Sequence, residues 1–110
     1  MASLFTVSGV SLGSQGISPS EFRLYQASYP TIVLGAIAAN VTTTNTNVSF
    51  ILKDESDSTL SYMAKNITVP VNSSLDVVSN KVVLLSGYSL DCTQSAVSGI
   101  DVTASFLEFR

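Results

Sequence analysis

The side chains in this sequence that could do chemistry are carboxylates, hydroxyls and one thiol, because the chain contains no histidine. Histidine is the usual general base, the commonest metal ligand and the partner of most Ser and Cys nucleophiles. A lysine does not replace it, since no Ser stands three residues before a Lys in an S-x-x-K pattern. These residue types argue against nucleophilic catalysis, and we expect that the protein is not an enzyme.

Three of the carboxylates cluster in a polar segment that lies between two apolar segments: Asp54, Glu55 and Asp57. Counted as a calcium loop from Asp54, the sixth position is Thr59 instead of Gly and the twelfth is Lys65 instead of Glu. The pattern favours a solvated hairpin tip over a metal site, so we expect no metal and no cofactor. The other acids are predicted to stand isolated on strands: Asp76, Asp91, Asp101 and Glu108.

The single cysteine, Cys92, cannot form a disulfide within the chain. It alternates with polar neighbours on the same side as Tyr88 and Leu90. This position predicts a buried thiol that is chemically inert.

The charge and composition of the chain limit the kinds of partner that it can bind. The net charge is −3 and only 12% of residues are charged, while Ser and Thr make up about a quarter of the chain. Nucleic-acid binding needs a basic patch, which five scattered cations cannot build. A surface of hydroxyls has little repulsion between copies, which suits subunits that pack side by side. An ordinary Ser/Thr-rich β domain would have the same composition.

No segment is apolar for long enough to cross a membrane, since the longest such stretch covers residues 32–39. The first residues lack the charged and then continuously apolar pattern of a signal peptide. We therefore expect that the protein is synthesised in a cytoplasm and does not associate with a membrane.

The elements of this chain follow a period of two. Val48, Phe50 and Leu52 share one face, and residues 100–106 alternate throughout. Pro70 is predicted at a strand end or sheet edge. Short strands separated by turn residues predict an all-β fold, an antiparallel β-sandwich that is Ig-like or jelly-roll-like with seven to nine short strands. The candidate strands, some of which would merge, cover residues 4–10, 22–27, 31–39, 47–53, 60–64, 67–71, 75–78, 81–85, 88–93 and 99–108.

Two candidate strands, 31–39 and 82–85, are apolar on both faces. A strand of this kind is either covered on both sides within the chain or meets a partner with its outer face. In a domain of this size, two of them favour a subunit interface.

We predict two parts, residues 1–20 and a β-sandwich domain over 21–110. The first part joins an apolar tip to a Ser/Gly-rich connector. It is either an arm that adds a strand to a neighbouring subunit or a first strand on its own sheet. Candidate interface residues are Leu4, Phe5, Val7, Phe22, Tyr25, Val33 and Ile37.

The stretch from Tyr29 to Phe109 resembles small virion structural proteins of tailed bacteriophages, as found in cyanophages. The matching segments are 39–52, 61–66, 69–76, 81–84, 86–90 and 100–102. The family-like pattern would have Ala-Gly in place of Val71-Asn72 and Asp in place of Tyr88.

This resemblance implies a β-sandwich in a virion, most simply a head decoration (cement) protein bound to the major capsid protein. It also implies a homo-oligomer, with a trimer as one form. A neck, tail or baseplate component is the first alternative, and a glycan- or receptor-binding module of a fibre is the second.

Overall fold

The computed structural model describes residues 3–11, 22–41, 43–76, 81–94 and 100–110. These residues form nine β-strands, and no helix among them is long and apolar enough to cross a membrane. The strands are β1 (Ser3–Ser11), β2 (Phe22–Gln26), β3 (Thr31–Ala39), β4 (Thr46–Lys53), β5 (Thr59–Val69), β6 (Ser74–Asp76), β7 (Val82–Leu84), β8 (Ser89–Gln94) and β9 (Asp101–Phe109).

The strands form two antiparallel sheets that pack as a sandwich. The five-stranded sheet has the order β1-β9-β3-β6, with β7 also paired to β3, and the four-stranded sheet has the order β2-β8-β4-β5. The pairing is nested: β1 pairs with β9, β2 with β8, β3 with β6 and β7, and β4 with β5. A long hairpin folded over itself in this way is the jelly roll. The strand order therefore decides between the two sandwich types in favour of the jelly roll.

The core lies between the two sheets and consists of the inward-pointing residues of the alternating strands. In β9, Val102, Ala104 and Phe106 point inward and are almost completely buried, while Thr103 and Ser105 are exposed. In β4, Val48 and Phe50 enter the core in the same way. The predicted all-β fold and its period of two are confirmed.

Two predicted strands, 60–64 and 67–71, are one strand, β5, which ends at Val69 immediately before Pro70. The sequence shows a break at Asn66, and the structure has a bulge there, with Asn66 at a φ of 51°. Asn tolerates this left-handed conformation, so the chain bends without leaving the sheet.

A second bulge interrupts β3. Its pairing with β9 shifts between Val33 and Gly35, which inserts Leu34 as an extra residue. Before the bulge the odd-numbered Thr31 and Val33 point inward, and after it Ala36 and Ala38 do. Ile37, which simple alternation places beside Val33, therefore points outward.

The N-terminal strand β1 belongs to the five-stranded sheet. It pairs with β9 over its whole length, from Ser3 opposite Phe109 to Ser11 opposite Asp101, without a bulge. The predicted connector that follows lies outside the described residues, apart from the end of β1.

Candidate docking surface

The outer face of the five-stranded sheet has an apolar row that crosses four strands. Phe5 of β1 lies opposite Leu107 of β9, Leu107 opposite Ile32 of β3, and Ile32 opposite Val83 of β7. Directly opposite residues of antiparallel strands point to the same face. The two ends of the row are open, with Phe5 74% and Val83 57% exposed. We call these four residues the apolar row.

Further apolar side chains extend this row along the strands. Val7 is 66% exposed and Ile37 49% exposed, and both lie on the same face. An open groove of about 380 Å³ is lined in part by Phe5, Val7, Leu34 and Ser105. The groove forms because small Ser105 lies between Val7 and the residues of the β3 bulge.

Two carboxylates on the outer face lie away from the apolar row. Asp76 of β6 is opposite Ile37, and Asp101 of β9 is opposite Ala39, so both acids lie toward the far end of β3. The row itself has no charged side chain. This arrangement leaves an apolar surface with an acidic margin at one end.

The seven residues expected at an interface divide between surface and core. Phe5, Val7 and Ile37 lie together on the outer face, and Leu4 of β1 is 41% exposed but points to the other side of the sheet. Phe22 and Tyr25 are half-buried and pack against the core.

Val33 is fully buried in the core, which corrects its place among the interface residues. The physical reason is the β3 bulge, which reverses the alternation between Val33 and Ile37.

Ile32, Val83 and Leu107 are part of the surface but were not named from the sequence. The signal for two of them was present, since 31–39 and 82–85 are the strands that the sequence marks as apolar on both faces. Leu107 follows from register alone, which needs the pairing of β9 with both β1 and β3.

Some of the carboxylates that the sequence predicts to be isolated are paired with cations in the structure. Asp91 of β8 is buried, with Arg23 Nε at 3.3 Å and Lys53 Nζ at 3.8 Å from its carboxylate oxygens. The hydrogen bond that Arg23 donates to Asp91 is the main cause that raises the pKa of Arg23. Asp57 in the β4–β5 turn also contacts Arg23 and Lys53. The cluster ties this turn to the outer face of the four-stranded sheet.

The predicted hairpin tip is present between β4 and β5. Asp54 accepts hydrogen bonds from the backbone N–H groups of Ser56 and Ser58, which folds the turn. Among the described residues no three His, Cys, Asp or Glu side chains come together as a metal site.

A second polar cluster closes one end of the core. The Tyr25 hydroxyl donates to the Glu108 carboxylate, and Arg110 donates to the same carboxylate at 3.1 and 3.2 Å. The Tyr25 hydrogen bond is the main cause that lowers the pKa of Glu108, while burial raises the pKa of Tyr25. Tyr25 and Glu108 bind each other, so the role of this cluster is structural.

Cys92 lies in the core, as its alternation predicted, and is fully buried. Burial raises the pKa of its thiol to about 12. Because the thiolate is the reactive form, this side chain is inert at neutral pH.

Two tyrosines are partly open, Tyr29 at 42% and Tyr62 at 47% exposed. Each ring has a cation above it, with Arg110 5.3 Å from the Tyr29 ring centre and Lys65 4.9 Å from that of Tyr62. One face of each ring is therefore occupied by a cation–π contact.

No protein-family model matches this sequence, and no curated protein sequence matches it. The fold is similar to a pilus protein of Bacillus endospore appendages, described as a novel family of disulfide-linked pili. The TM-score is 0.52 at 7% identity, over 97% of this chain and 86% of that one. The shared property at this identity is the fold.

Viral coat proteins are also among the similar structures. A pentameric capsid protein from metagenomic phage sequences has a TM-score of 0.45 at 12% identity, over 96% of this chain and 60% of that one. The VP2 subviral particle of infectious bursal disease virus has a TM-score of 0.49 at 10% identity, over 96% and 32%. This chain thus spans less than two thirds of either coat protein.

Proposed function

We propose that this chain is a structural protein of a phage virion, and more narrowly a decoration protein that binds the major capsid protein. The observation that carries the proposal is the apolar row on the outer face of the five-stranded sheet. Its four side chains lie in register across four strands, and both ends are open to solvent.

Scattered apolar side chains are normal on a protein surface, whereas contiguous apolar patches mark interaction sites. Phe5, Val7, Ile37 and Val83 are each about half or more exposed on one face. When a partner covers these side chains, the removal of their apolar area from water stabilises the complex by about 25 cal/mol per Å². The low charge of the chain adds little repulsion between neighbouring subunits.

The fold supports the same role, because jelly rolls are common in viral capsid domains. Fold alone does not assign function, so this support is an analogy beside the surface argument. The similar pilus protein belongs to disulfide-linked pili, and this chain cannot be linked in that way through its buried Cys92. Assembly of this chain would therefore not depend on a disulfide through Cys92.

The copy number in purified particles tests the proposal. Particles of the virus that encodes the chain would be banded on a gradient, and the chain quantified against the major capsid protein by mass spectrometry. Hundreds of copies support decoration. A dozen or fewer copies would assign it to a neck, tail or baseplate position, and absence from the particles would overturn a virion role.

A pair of variants tests the surface. Val83→Lys places a charge at one end of the apolar row, and Leu60→Lys places one at a similarly exposed position, 53%, on β5 of the other sheet. We expect at least about tenfold less Val83→Lys in particles and wild-type amounts of Leu60→Lys. Equal incorporation of both variants would contradict docking through the outer face.

A fibre module that binds a glycan or receptor is the second candidate, because Tyr29 and Tyr62 are partly exposed. Sugar rings stack on open aromatic faces, and here one face of each ring is already covered by a cation. A glycan array with hits that Tyr62→Ala abolishes would favour this function. An array without hits would remove it.

A further inference from the structure

The edges of the two sheets are protected to very different degrees. A free edge offers unpaired N–H and C=O groups to another strand, and proteins block it with charges, prolines, bulges or short strands. In the four-stranded sheet, β2 has Arg23 and a bulge, and β5 has Lys65 and three register shifts, with Pro70 directly after it. In the five-stranded sheet, β6 and β7 are three residues each.

β1 has none of these devices. Its nine residues include no charged residue and no proline, and its register with β9 has no bulge. Within the described part of the chain no strand lies on its other side. β1 is thus a long, regular and uncharged edge, and the exposed Phe5 and Val7 are on it.

We propose that β1 is the site where two copies of this chain join, by antiparallel pairing of β1 with β1 of the second copy. An unprotected edge needs an unprotected partner, and among the described edges of this chain β1 is the one that qualifies. The pairing that results is a two-fold contact, in which the same strand serves both copies.

The two-fold contact also extends the proposed docking surface. With the axis perpendicular to the sheet, the outer faces of both copies point the same way. With the axis at Thr6, for example, Phe5 lies opposite Val7 of the second copy, at the distance of a cross-strand pair. The two apolar rows join into one surface across two subunits. In this respect the inference rests on the proposed function, although the pairing itself depends on the edge alone.

Self-association of the purified chain tests the pairing. Sedimentation velocity is measured for wild type, Val7→Lys and Val83→Lys, with circular dichroism to show that each variant is folded. Lysine at position 7 puts like charges across the two-fold contact, whereas Val83 lies at the opposite edge of the same face.

We expect a wild-type dimer whose Kd rises at least about tenfold in Val7→Lys and stays the same in Val83→Lys. A monomeric wild type, a trimer, or a dimer that Val83→Lys breaks and Val7→Lys keeps would each overturn the pairing. A dimer that behaves as expected, together with absence of the chain from particles, would leave the pairing intact and remove the virion role.

Single cysteines locate the axis. Directly opposite residues of the antiparallel pair point to the same face of the joined sheet. The residue of β1 on the two-fold axis therefore lies opposite the same residue of the second copy. Under mild oxidation, cysteines placed one at a time at positions 5, 6, 7 and 8 should give a disulfide-linked dimer mainly at one position, because a disulfide needs Cα atoms roughly 4.4–6.8 Å apart. Cys92 does not interfere, since it is buried. Equal or absent cross-linking at all four positions would contradict the contact.

Discussion

Tyr25 and Phe106 stack across the sandwich with their ring centres 4.0 Å apart and their planes at 18°. Tyr25 is on β2 of one sheet and Phe106 on β9 of the other. The stack continues into the polar cluster, because the Tyr25 hydroxyl reaches Glu108 two residues after Phe106. One tyrosine thus joins the two sheets through both its ring and its hydroxyl.

The two contributions of Tyr25 can be separated by substitution. Tyr25→Phe keeps the stack and removes a hydrogen bond to a carboxylate that Arg110 still binds, so we expect a loss of about 1–2 kcal/mol in the free energy of unfolding. Tyr25→Ala also removes the ring, and the loss should grow by roughly 2 kcal/mol more. Urea denaturation measures both. Equal losses for the two variants would mean that the stack contributes nothing.

The lowered pKa of Glu108 makes stability depend on pH in a defined direction. The ionised carboxylate is favoured in the folded chain, so its contribution is present above the usual Glu value of 4.5 and is lost as pH falls through the lower folded pKa. We expect Glu108→Gln to be less stable at pH 7 and to lose less stability between pH 5 and pH 3. Chemical denaturation at several pH values measures this slope.

The matched control is Glu55→Gln in the exposed β4–β5 turn, which should keep the wild-type slope. A Glu108→Gln slope that equals the wild-type slope would show that another group controls acid unfolding.

Most of the fold could be predicted from the sequence, because alternation survives wherever a strand is regular. What could not be predicted are the positions of the bulges. Phe22 and Tyr25 are three apart and should point to opposite faces, yet both pack against the core because β2 shifts register between Arg23 and Tyr25. The β3 bulge separates Val33 from Ile37 in the same way.

The docking surface was predictable only in part for a related reason. The sequence shows that 31–39 and 82–85 are apolar on both faces, but a row is a property of neighbours across strands. Phe5, Leu107 and Val83 are more than twenty residues apart in the chain, and only the pairing brings them into line with Ile32. Pairing partners so distant in sequence leave no local signal.

The two acids that bind Arg23 should differ strongly in their contributions. Asp91 has a side chain only 4% exposed, and it is the buried carboxylate that both Arg23 and the nearly buried Lys53 contact. We expect Asp91→Asn to cost about 2 kcal/mol. Asp57 is 63% exposed, so Asp57→Asn should cost less than about 1 kcal/mol.

Thermal or urea unfolding of both variants in low and high salt measures the difference. Added salt should reduce the small effect of Asp57→Asn further and leave that of Asp91→Asn nearly unchanged, because buried charges are screened less. The reverse order of the two costs would place the important ion pair in the turn instead of the sheet.

Two phenylalanines provide a direct test of which face is core and which is surface. Phe106 is fully buried and Phe5 is 74% exposed, although both are on strands of the same sheet. Phe106→Ala should cost about 3–5 kcal/mol, and Phe5→Ala less than roughly 1 kcal/mol when the chain is monomeric. Denaturation at low protein concentration makes the comparison. A large loss for Phe5→Ala would mean that β1 is covered within the chain and that Phe5 is not free to bind a partner.

The buried thiol reports whether the sandwich opens. Cys92 is fully buried, and a thiol with a pKa of about 12 has almost no thiolate at neutral pH. Ellman's reagent at pH 8 should therefore react with the folded chain only through opening of the fold, while the urea-unfolded chain should react within seconds to minutes. Phe106→Ala should speed the reaction of the folded chain about tenfold for each 1.4 kcal/mol of lost stability, because the open fraction rises by that factor. Val83→Lys should leave the rate unchanged, since Val83 is on the outer face. Immediate labelling of the native wild-type chain would show that Cys92 is reachable without opening and would contradict its place in the core.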